Sequence, residues 1–321
     1  MSTASFDDLD IPSTIKKKIL EHYASLETLS KASPAEVSEK VAIGIKMAKK
    51  AVFEARTLLG VSPMTALELL DEQRLKRHLS TGSQAFDEIL GGGISTGSIT
   101  EIAGEYSSGK SQICFQLCIN AIMPEDYGGL GGKVFFVDTE GTFSPKRVLQ
   151  IANFNRAKMD PMDIMKNIFV ARSYNADHQI QIVNEADSLL KTENVRLVII
   201  DSMASHFRSE FHGKDQIIER QQKIMAHAEK LQKYADAYDL AIITTNQVLA
   251  SMDNYLAGKA SEPALGYAWG HRPQTRIWLR KTKGNTRIAR IIDSPELPEK
   301  EATFYITDEG ITDSFLGEDF E

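Results

Sequence analysis

The chain has 321 residues, of which 25% are charged and 42% are hydrophobic, and its formal net charge is −7 at pH 7. These fractions are those of an ordinary soluble globular protein. Because the sequence has no signal peptide and no apolar run near 18 residues, we expect a cytoplasmic protein rather than a secreted or membrane-spanning one. The net charge does not suggest nucleic-acid binding, but whole-chain charge says little about where a positive stripe lies.

The first part of the chain, residues 1–60, reads as a small helical domain. Ser33 and Pro34 have the pattern of a helix N-cap followed by proline, and a third helix is predicted at residues 45–58. Before that helix, Gly44 resembles the turn of a helix-hairpin-helix, a motif that binds the DNA backbone through main-chain N–H groups. A plain helical cap domain fits the pattern equally well.

The rest of the chain predicts one large α/β domain. Residues 60–64 break the helical pattern and a helix is expected from Thr65 towards Arg77, so we assign residues 61–78 to a linker. Residues 79–313 form the predicted core and residues 314–321 an acidic tail. Strands are predicted at residues 98–103, 133–138, 168–171, 195–201, 240–245, 275–282, 286–292 and 302–306. This order predicts a mostly parallel sheet with helices on both faces and antiparallel strands at one edge.

A phosphate-binding loop follows the first strand of this core. Gly104, Gly109, Lys110 and Ser111 have the spacing of a P-loop, with a strand before them and a helix after them. Glycines let consecutive N–H groups point at phosphate, the lysine reaches the β- and γ-phosphates, and the serine hydroxyl binds Mg²⁺. A Gly/Ser-rich turn that matches by chance is the alternative, and the flanking strand and helix argue against it.

Three polar groups end neighbouring strands, at the edge of a parallel sheet where ligands bind. Asp201 suits a metal shell, Glu140 suits a general base for hydrolysis, and Gln247 suits a sensor of the γ-phosphate. Asp201 as a simple helix cap and Glu140 as part of an acidic turn are the alternatives. Cys114 and Cys118 lie one helical turn apart among apolar residues, which predicts buried packing rather than a disulfide or a metal site.

Seven motifs in one order resemble a known family. They span residues 104–112, 137–143, 198–202, 219–222, 245–248, 279–281 and 292–298. Together they resemble archaeal RadA, a family of RecA-type strand-exchange recombinases, over nearly the whole chain. The resemblance implies a RecA-like P-loop ATPase core behind a small all-α helix-hairpin-helix-like domain.

The resemblance also implies roles for individual residues. The nucleotide-binding set would be Gly104, Glu105, Tyr106, Ser107, Ser108, Gly109, Lys110, Ser111, Gln112, Arg147, Asp293 and Pro295. Within it, Arg147 would stack on adenine, and the loop with Asp293 and Pro295 would cap the ATP of a neighbouring protomer. Lys110, Glu140 and Gln247 would be the catalytic residues, and Ser111 with Asp201 would hold Mg²⁺.

Two loops of the family bind DNA. The first would be residues 208–220, with Arg208, Lys214 and Arg220, and the second would lie between Val248 and about Gln274, with Lys259 and Arg272. Arg276 belongs to a basic segment, residues 269–290, that contains no acidic residue and suits phosphate contacts. A charged, solvated strand edge is the alternative for this segment.

Some positions differ from the family pattern. No glycine occurs at residues 9–12, where the family has a Gly-x-Gly turn, and no phenylalanine occurs at Pro63-Met-Thr-Ala66, the segment expected to dock subunits together. The histidine of the second loop is also replaced, since the sequence there is Leu265-Gly-Tyr267.

The expected function is that of an ATP- and Mg²⁺-dependent recombination and repair protein, a DNA-dependent ATPase associated with the nucleoid. It would bind single- and double-stranded DNA, assemble as a helical filament or ring, and catalyse strand exchange. A regulatory paralogue with weak or no strand exchange is the alternative that the differing positions suggest.

Overall fold

The computed structural model describes residues 4–60, 65–211, 213–249, 262–263 and 265–314. Lys259, the segment at residues 61–64 and most of the acidic tail lie outside these ranges, and of Lys214 only the backbone is described. The chain divides into two compact units, Met1–Leu75 and Lys76–Glu321. In the described ranges, no helix is both long and apolar enough to cross a membrane.

The first unit is all helical. After a short 3₁₀ turn at Phe6–Asp8 it contains α1 (Ser13–His22), α2 (Leu26–Lys31), α3 (Pro34–Lys40), α4 (Ile45–Leu58) and α5 (Ala66–Arg74). The predicted N-cap is confirmed, because Ser33 Oγ accepts the N–H of Glu36 at the start of α3. In the turn before α4 the left-handed residue is Ala42 (φ 52°), whereas Gly44 is an extended N-cap (φ −60°). The glycine therefore does not supply the positive φ of this turn.

The second unit is built on one large sheet. Its strands are β1 (His78–Leu79), β2 (Ile94–Ser95), β3 (Ser98–Gly104), β4 (Lys133–Asp138), β5 (Ile168–Arg172), β6 (Val195–Asp201), β7 (Ala241–Leu249), β8 (Glu262–Pro263), β9 (Thr275–Lys281), β10 (Thr286–Asp293), β11 (Glu301–Thr307) and β12 (Gly310–Thr312). The main sheet has the order β12-β11-β10-β9-β3-β7-β6-β4-β5, while β1 and β2 pair separately. Strands β9, β3, β7, β6, β4 and β5 are parallel, and β9 to β12 pair antiparallel, which confirms the predicted α/β fold.

Helices cover both faces of the sheet. They are α6 (Gln84–Ile89), α7 (Lys110–Ile122), α8 (Pro145–Ala152), α9 (Pro161–Lys166), α10 (Ala176–Thr192), α11 (Ser205–Glu210), α12 (Ile217–Tyr238) and α13 (Gly266–Gly270). Alternate residues of β4 enter different cores: Phe136 packs in a cluster with α7, and Phe135 in a cluster with α10 and α12. Burial on both faces explains why the central strands are almost continuously apolar. Cys114 and Cys118 are free and buried in the α7 cluster, as predicted.

A buried histidine makes stability depend on pH. His227 on α12 is 2% exposed, its Nδ1 has no hydrogen-bond partner, and burial lowers its pKa from 6.5 to about 4. As the pH is lowered, His227 therefore takes up a proton near pH 6.5 in the unfolded chain but only near pH 4 in the folded chain. As the pH is lowered through this range, protonation of His227 in the unfolded chain is expected to reduce the free energy of unfolding by about 3 kcal/mol. Urea unfolding at pH 7 and pH 4.5 should show a weaker pH dependence in His227→Gln, and an unchanged dependence would contradict this assignment.

Candidate nucleotide site

The P-loop connects β3 to α7. Gly109 takes a left-handed conformation (φ 105°) at the N-cap of α7, where a Cβ would collide with Ile306. At Gly104 a Cβ would collide with the carbonyl oxygen of Leu279 and would lie 2.7 Å from Ser108 Oγ. Gly104 is therefore needed for the close approach of the loop to the backbone of β9, and Gly109 for the left-handed backbone at the N-cap of α7. The loop places the N-terminus of a thirteen-residue helix beside the sheet, an arrangement that attracts phosphate.

A cavity of about 320 Å³ opens at this loop. It is lined by Tyr106, Ser107, Gly109, Lys110, Ser111, Gln112, Glu140, Thr142, Asp201, Ser202, Gln247, Arg287 and Ile306. The structure thus brings the predicted strand-end residues Glu140, Asp201 and Gln247 to the P-loop. The predicted nucleotide-binding residues that do not line this cavity are Gly104, Glu105, Ser108, Arg147, Asp293 and Pro295.

Lys110 is the first residue of α7, and its side chain folds back onto the P-loop. Its Nζ donates hydrogen bonds of 2.9 Å to the carbonyl oxygens of Gly104 and Glu105. Burial lowers the pKa of Lys110, and the nearby carboxylates of Asp201 and Glu140 oppose that shift. The ammonium group is therefore fixed at the N-terminus of α7, where phosphate oxygens would accept hydrogen bonds from it.

Ser111 and Asp201 form the part of the cavity suited to a cation. Ser111 Oγ donates to Asp201 Oδ2 at 2.6 Å, and Thr245 Oγ1 donates to the other carboxylate oxygen. Burial raises the pKa of Asp201, and the two hydroxyl donors oppose that shift. One carboxylate and one hydroxyl at the P-loop fit Mg²⁺, which usually completes its shell with water and phosphate.

Glu140 is held at the open side of the cavity. It follows β4, is exposed, and its Oε1 accepts hydrogen bonds from Ser202 Oγ (3.0 Å) and Gln247 Nε2 (3.1 Å). The Oε1 of Gln247 accepts in turn from Arg208 Nη1 at 3.1 Å. A continuous chain of hydrogen bonds therefore runs from Arg208 on α11 through Gln247 to the carboxylate of Glu140.

Gln247 lies inside a strand rather than beyond its end. Strand β7 extends to Leu249, and Gln247 pairs with Gly104 in the parallel ladder with β3. The predicted strand end at residue 245 was therefore too early. The register with β3 explains how a residue 143 positions away from Gly104 reaches the P-loop.

Arg147 contacts the cavity lining through Gln112, whereas Asp293 and Pro295 lie away from it, at the other end of β10 from Arg287. Arg147 Nε donates to Gln112 Oε1 and Nη1 to the carbonyl oxygen of Asp308, both at 2.8 Å, so Arg147 connects the P-loop helix to the antiparallel edge. Burial lowers the pKa of Arg147. Asp293 and Pro295 are exposed at the end of β10.

The basic segment at residues 269–290 does not form one surface. Arg272 is exposed, but Arg276 is largely buried and its Nε donates to Glu101 Oε2 at 2.6 Å. Arg287 is buried at the nucleotide cavity, and Arg290 pairs with Glu299 at 2.7 Å. Arg276 and Arg287 lie on the inward face of their strands. The expectation that the whole segment forms one positive patch is therefore wrong for these two side chains.

Glu101 is a buried acceptor that the sequence analysis did not identify. It is fully buried in β3 and accepts hydrogen bonds from Asn246 Nδ2 (2.7 Å), Trp269 Nε1 (2.6 Å) and Arg276 Nε (2.6 Å). A glutamate inside an otherwise apolar strand is the signal that points to such a role. Through Trp269, the carboxylate fixes α13 to the central sheet. Helix α13 lies within the second predicted DNA-binding loop, between Val248 and about Gln274.

Replacing this carboxylate is expected to destabilise the protein. Glu101→Gln leaves Arg276 without its buried counterion, so we expect the free energy of unfolding to fall by about 2–3 kcal/mol. Glu299→Gln breaks the exposed ion pair with Arg290 and is expected to cost less than about 1 kcal/mol. Urea unfolding of both variants checks the difference, and equal losses would contradict the anchoring role.

Comparison with known proteins identifies the family of the chain. The family model described as Rad51 matches residues 73–314 of the chain. The chain is also 44% identical over 302 residues to the DNA repair and recombination protein RadA of Aeropyrum pernix, covering 94% of each chain. These matches confirm the resemblance that the seven motifs carry. The chain therefore belongs to the Rad51 family, and within it to the recombinases of the archaeal RadA type.

Proposed function

We propose that the chain is a DNA-dependent ATPase of recombination and repair, which hydrolyses ATP to ADP and phosphate and catalyses strand exchange on DNA. The observation that carries the proposal is the single cavity shared by the P-loop, Asp201, Glu140 and Gln247. Family membership and the similarity to a DNA repair and recombination protein support the same function. Neither comparison favours a regulatory paralogue.

The P-loop binds the phosphates of ATP. Lys110 and the N–H groups of residues 104–112 hold the phosphate oxygens, while Ser111 and Asp201 would hold Mg²⁺. Bound Mg²⁺ supplies positive charge that stabilises the phosphates. Thr245 keeps Asp201 oriented by donating to its second oxygen.

Glu140 acts as the general base. Its carboxylate lines the cavity, and Ser202 and Gln247 orient it by donating to Oε1. No donor to Oε2 is present in the described part of the chain, so this oxygen can accept a proton from water. Such a base orients the attacking water and takes its proton.

DNA communicates with this site through Gln247. Arg208 lies at the start of the first basic loop and donates to Gln247, which donates to Glu140. A DNA phosphate that attracts Arg208 would compete with the Gln247 amide and change the orientation of Glu140. Lys214, Arg220, Lys259 and Arg272 complete the proposed DNA-binding set, while Arg276 serves as an anchor instead.

The protein assembles as a homo-oligomer, a helical filament or ring, at the nucleoid. Asp293 and Pro295 lie outside the cavity of their own protomer, as expected of residues that cap the ATP of a neighbour. In this arrangement residues 1–60 are the N-terminal domain, residues 61–78 link and dock the subunits, residues 79–313 are the ATPase core, and residues 314–321 are the acidic tail.

The proposal is tested by ATP hydrolysis with and without single-stranded DNA. Phosphate release by the wild-type protein is expected to rise severalfold when DNA is added. Arg208→Gln is expected to lower this stimulation while leaving the DNA-free rate within about twofold, since it interrupts only the connection to Gln247. Hydrolysis that does not respond to DNA at all would refute the proposed function.

A further inference from the structure

Arg287 is a buried cation that donates hydrogen bonds to main-chain carbonyl groups. The residue lies on β10 and is 8% exposed. Its Nε donates to the carbonyl oxygen of Ser108 at 2.8 Å, and its Nη1 donates to those of Gly284 (3.1 Å) and Thr286 (2.9 Å). Within the ranges that the structure describes, no carboxylate forms an ion pair with Arg287.

Two nearby arginines do have acidic partners. Arg276 on β9 is paired with Glu101, and Arg290 on the same strand as Arg287 is paired with Glu299. An arginine keeps its proton inside a protein, so burial does not remove the charge of Arg287. Because a buried cation that meets only neutral carbonyl groups is costly, a compensating anion is expected next to it.

The nucleotide cavity lies next to Arg287. The side chain lines that cavity together with Gly109, Lys110 and Ser111. It also contacts the P-loop itself through Ser108, and a Cβ on Gly109 would lie 3.4 Å from its Nε. Lys110 enters the loop from α7, whereas Arg287 enters from β10 at the antiparallel edge of the sheet.

We propose that Arg287 is a second phosphate-binding cation of the nucleotide site, which selects polyphosphate and fixes the Ser108 carbonyl of the P-loop at the same time. This inference rests on the proposed ATP site. The consequence is selectivity among ligands. The contribution of Arg287 to the binding free energy grows with the negative charge of the ligand, so Arg287 favours ATP over adenosine. A side chain that only supports the loop backbone would instead affect all adenine ligands equally.

The test compares two variants that separate charge from hydrogen bonding. Arg287→Gln removes the charge and keeps a donor for Ser108, whereas Arg287→Lys keeps the charge. Arg290→Gln is the matched control, since it changes an exposed arginine three residues further along β10. Dissociation constants for ATP, ADP and adenosine are measured by calorimetry at fixed ionic strength, after circular dichroism has shown that each variant is folded.

We expect Arg287→Gln to weaken ATP binding about 10- to 100-fold, ADP binding less, and adenosine binding less than about threefold. Arg287→Lys is expected to keep ATP affinity within about tenfold of wild type, and Arg290→Gln to leave it unchanged. Equal losses for ATP and adenosine, or ATP affinity in Arg287→Gln equal to that of wild type, would overturn the inference alone. A wild-type protein that binds no ATP would overturn the proposed function with it. If Arg287→Gln does not fold, Arg287→Lys provides the test: equal losses of ATP and adenosine affinity that both exceed about tenfold would overturn the inference.

Discussion

Glu140→Gln is expected to hydrolyse ATP about 10²- to 10⁴-fold more slowly than the wild-type protein at saturating ATP and DNA. The glutamine keeps the shape of the side chain and can still interact with Ser202 and Gln247, but it cannot accept a proton from water. ATP affinity should stay within about threefold, because the phosphates are bound by the P-loop. Phosphate-release kinetics and equilibrium ATP binding measure the two quantities separately.

The control for this variant is Glu88→Gln, which changes an exposed glutamate of α6 outside the cavity. It should hydrolyse ATP at the wild-type rate. A loss in Glu140→Gln below about threefold would show that another group, or water alone, takes the proton. A large loss of ATP affinity would instead assign Glu140 to nucleotide binding.

Lys110→Ala is expected to lower ATP hydrolysis by about 10³-fold and to weaken ATP binding as well. The alanine removes the cation that the structure fixes between the carbonyl groups of Gly104 and Glu105 at the start of α7. Lys110→Arg keeps the charge, but the larger planar guanidinium does not fit the same two carbonyl groups, so it should restore binding more than hydrolysis. ATPase rates and ATP dissociation constants of both variants check this order.

The unliganded fold provides the control for Lys110→Ala. Since Lys110 makes no hydrogen bond beyond the P-loop in the described residues, the free energy of unfolding without nucleotide should change by less than about 1 kcal/mol. A variant that hydrolyses ATP at more than a tenth of the wild-type rate would contradict the proposed site.

The P-loop could be predicted because its chemistry is local in the sequence. The strand, the two glycines, Lys110 and the following helix are consecutive, so the spacing alone determines their geometry. Asp201 and Glu140 could be predicted for a related reason: each follows an apolar strand, and the carboxyl ends of parallel strands meet at one edge. Most residues that line the cavity could therefore be predicted without knowing how the strands pair.

The role of each basic residue could not be predicted in the same way. Residues 269–290 contain seven lysines and arginines and no acidic residue, and strand pairing decides which of these side chains faces inward. Arg276 meets Glu101, a residue 175 positions earlier, and Arg287 meets the P-loop carbonyl of Ser108. Contacts at that separation depend on the register of several strands, which local patterns do not specify.

Turn conformations were also beyond the sequence patterns. Gly44 suggested the turn of a helix-hairpin-helix, but the residue of this turn with a positive φ is Ala42, two residues earlier. A positive φ is costly for alanine, so the packing of α3 against α4 must favour it. The sequence pattern located the turn before α4 but did not specify its conformation.

DNA strand exchange tests the central claim most directly. The assay mixes the protein with ATP, Mg²⁺, single-stranded DNA and a homologous duplex, and follows the transfer of one labelled strand. We expect the wild-type protein to form exchanged product that requires ATP and homology, and Lys110→Ala to form none. Absence of product with a wild-type protein that binds single-stranded DNA and hydrolyses ATP would contradict the proposal that this chain is a recombinase.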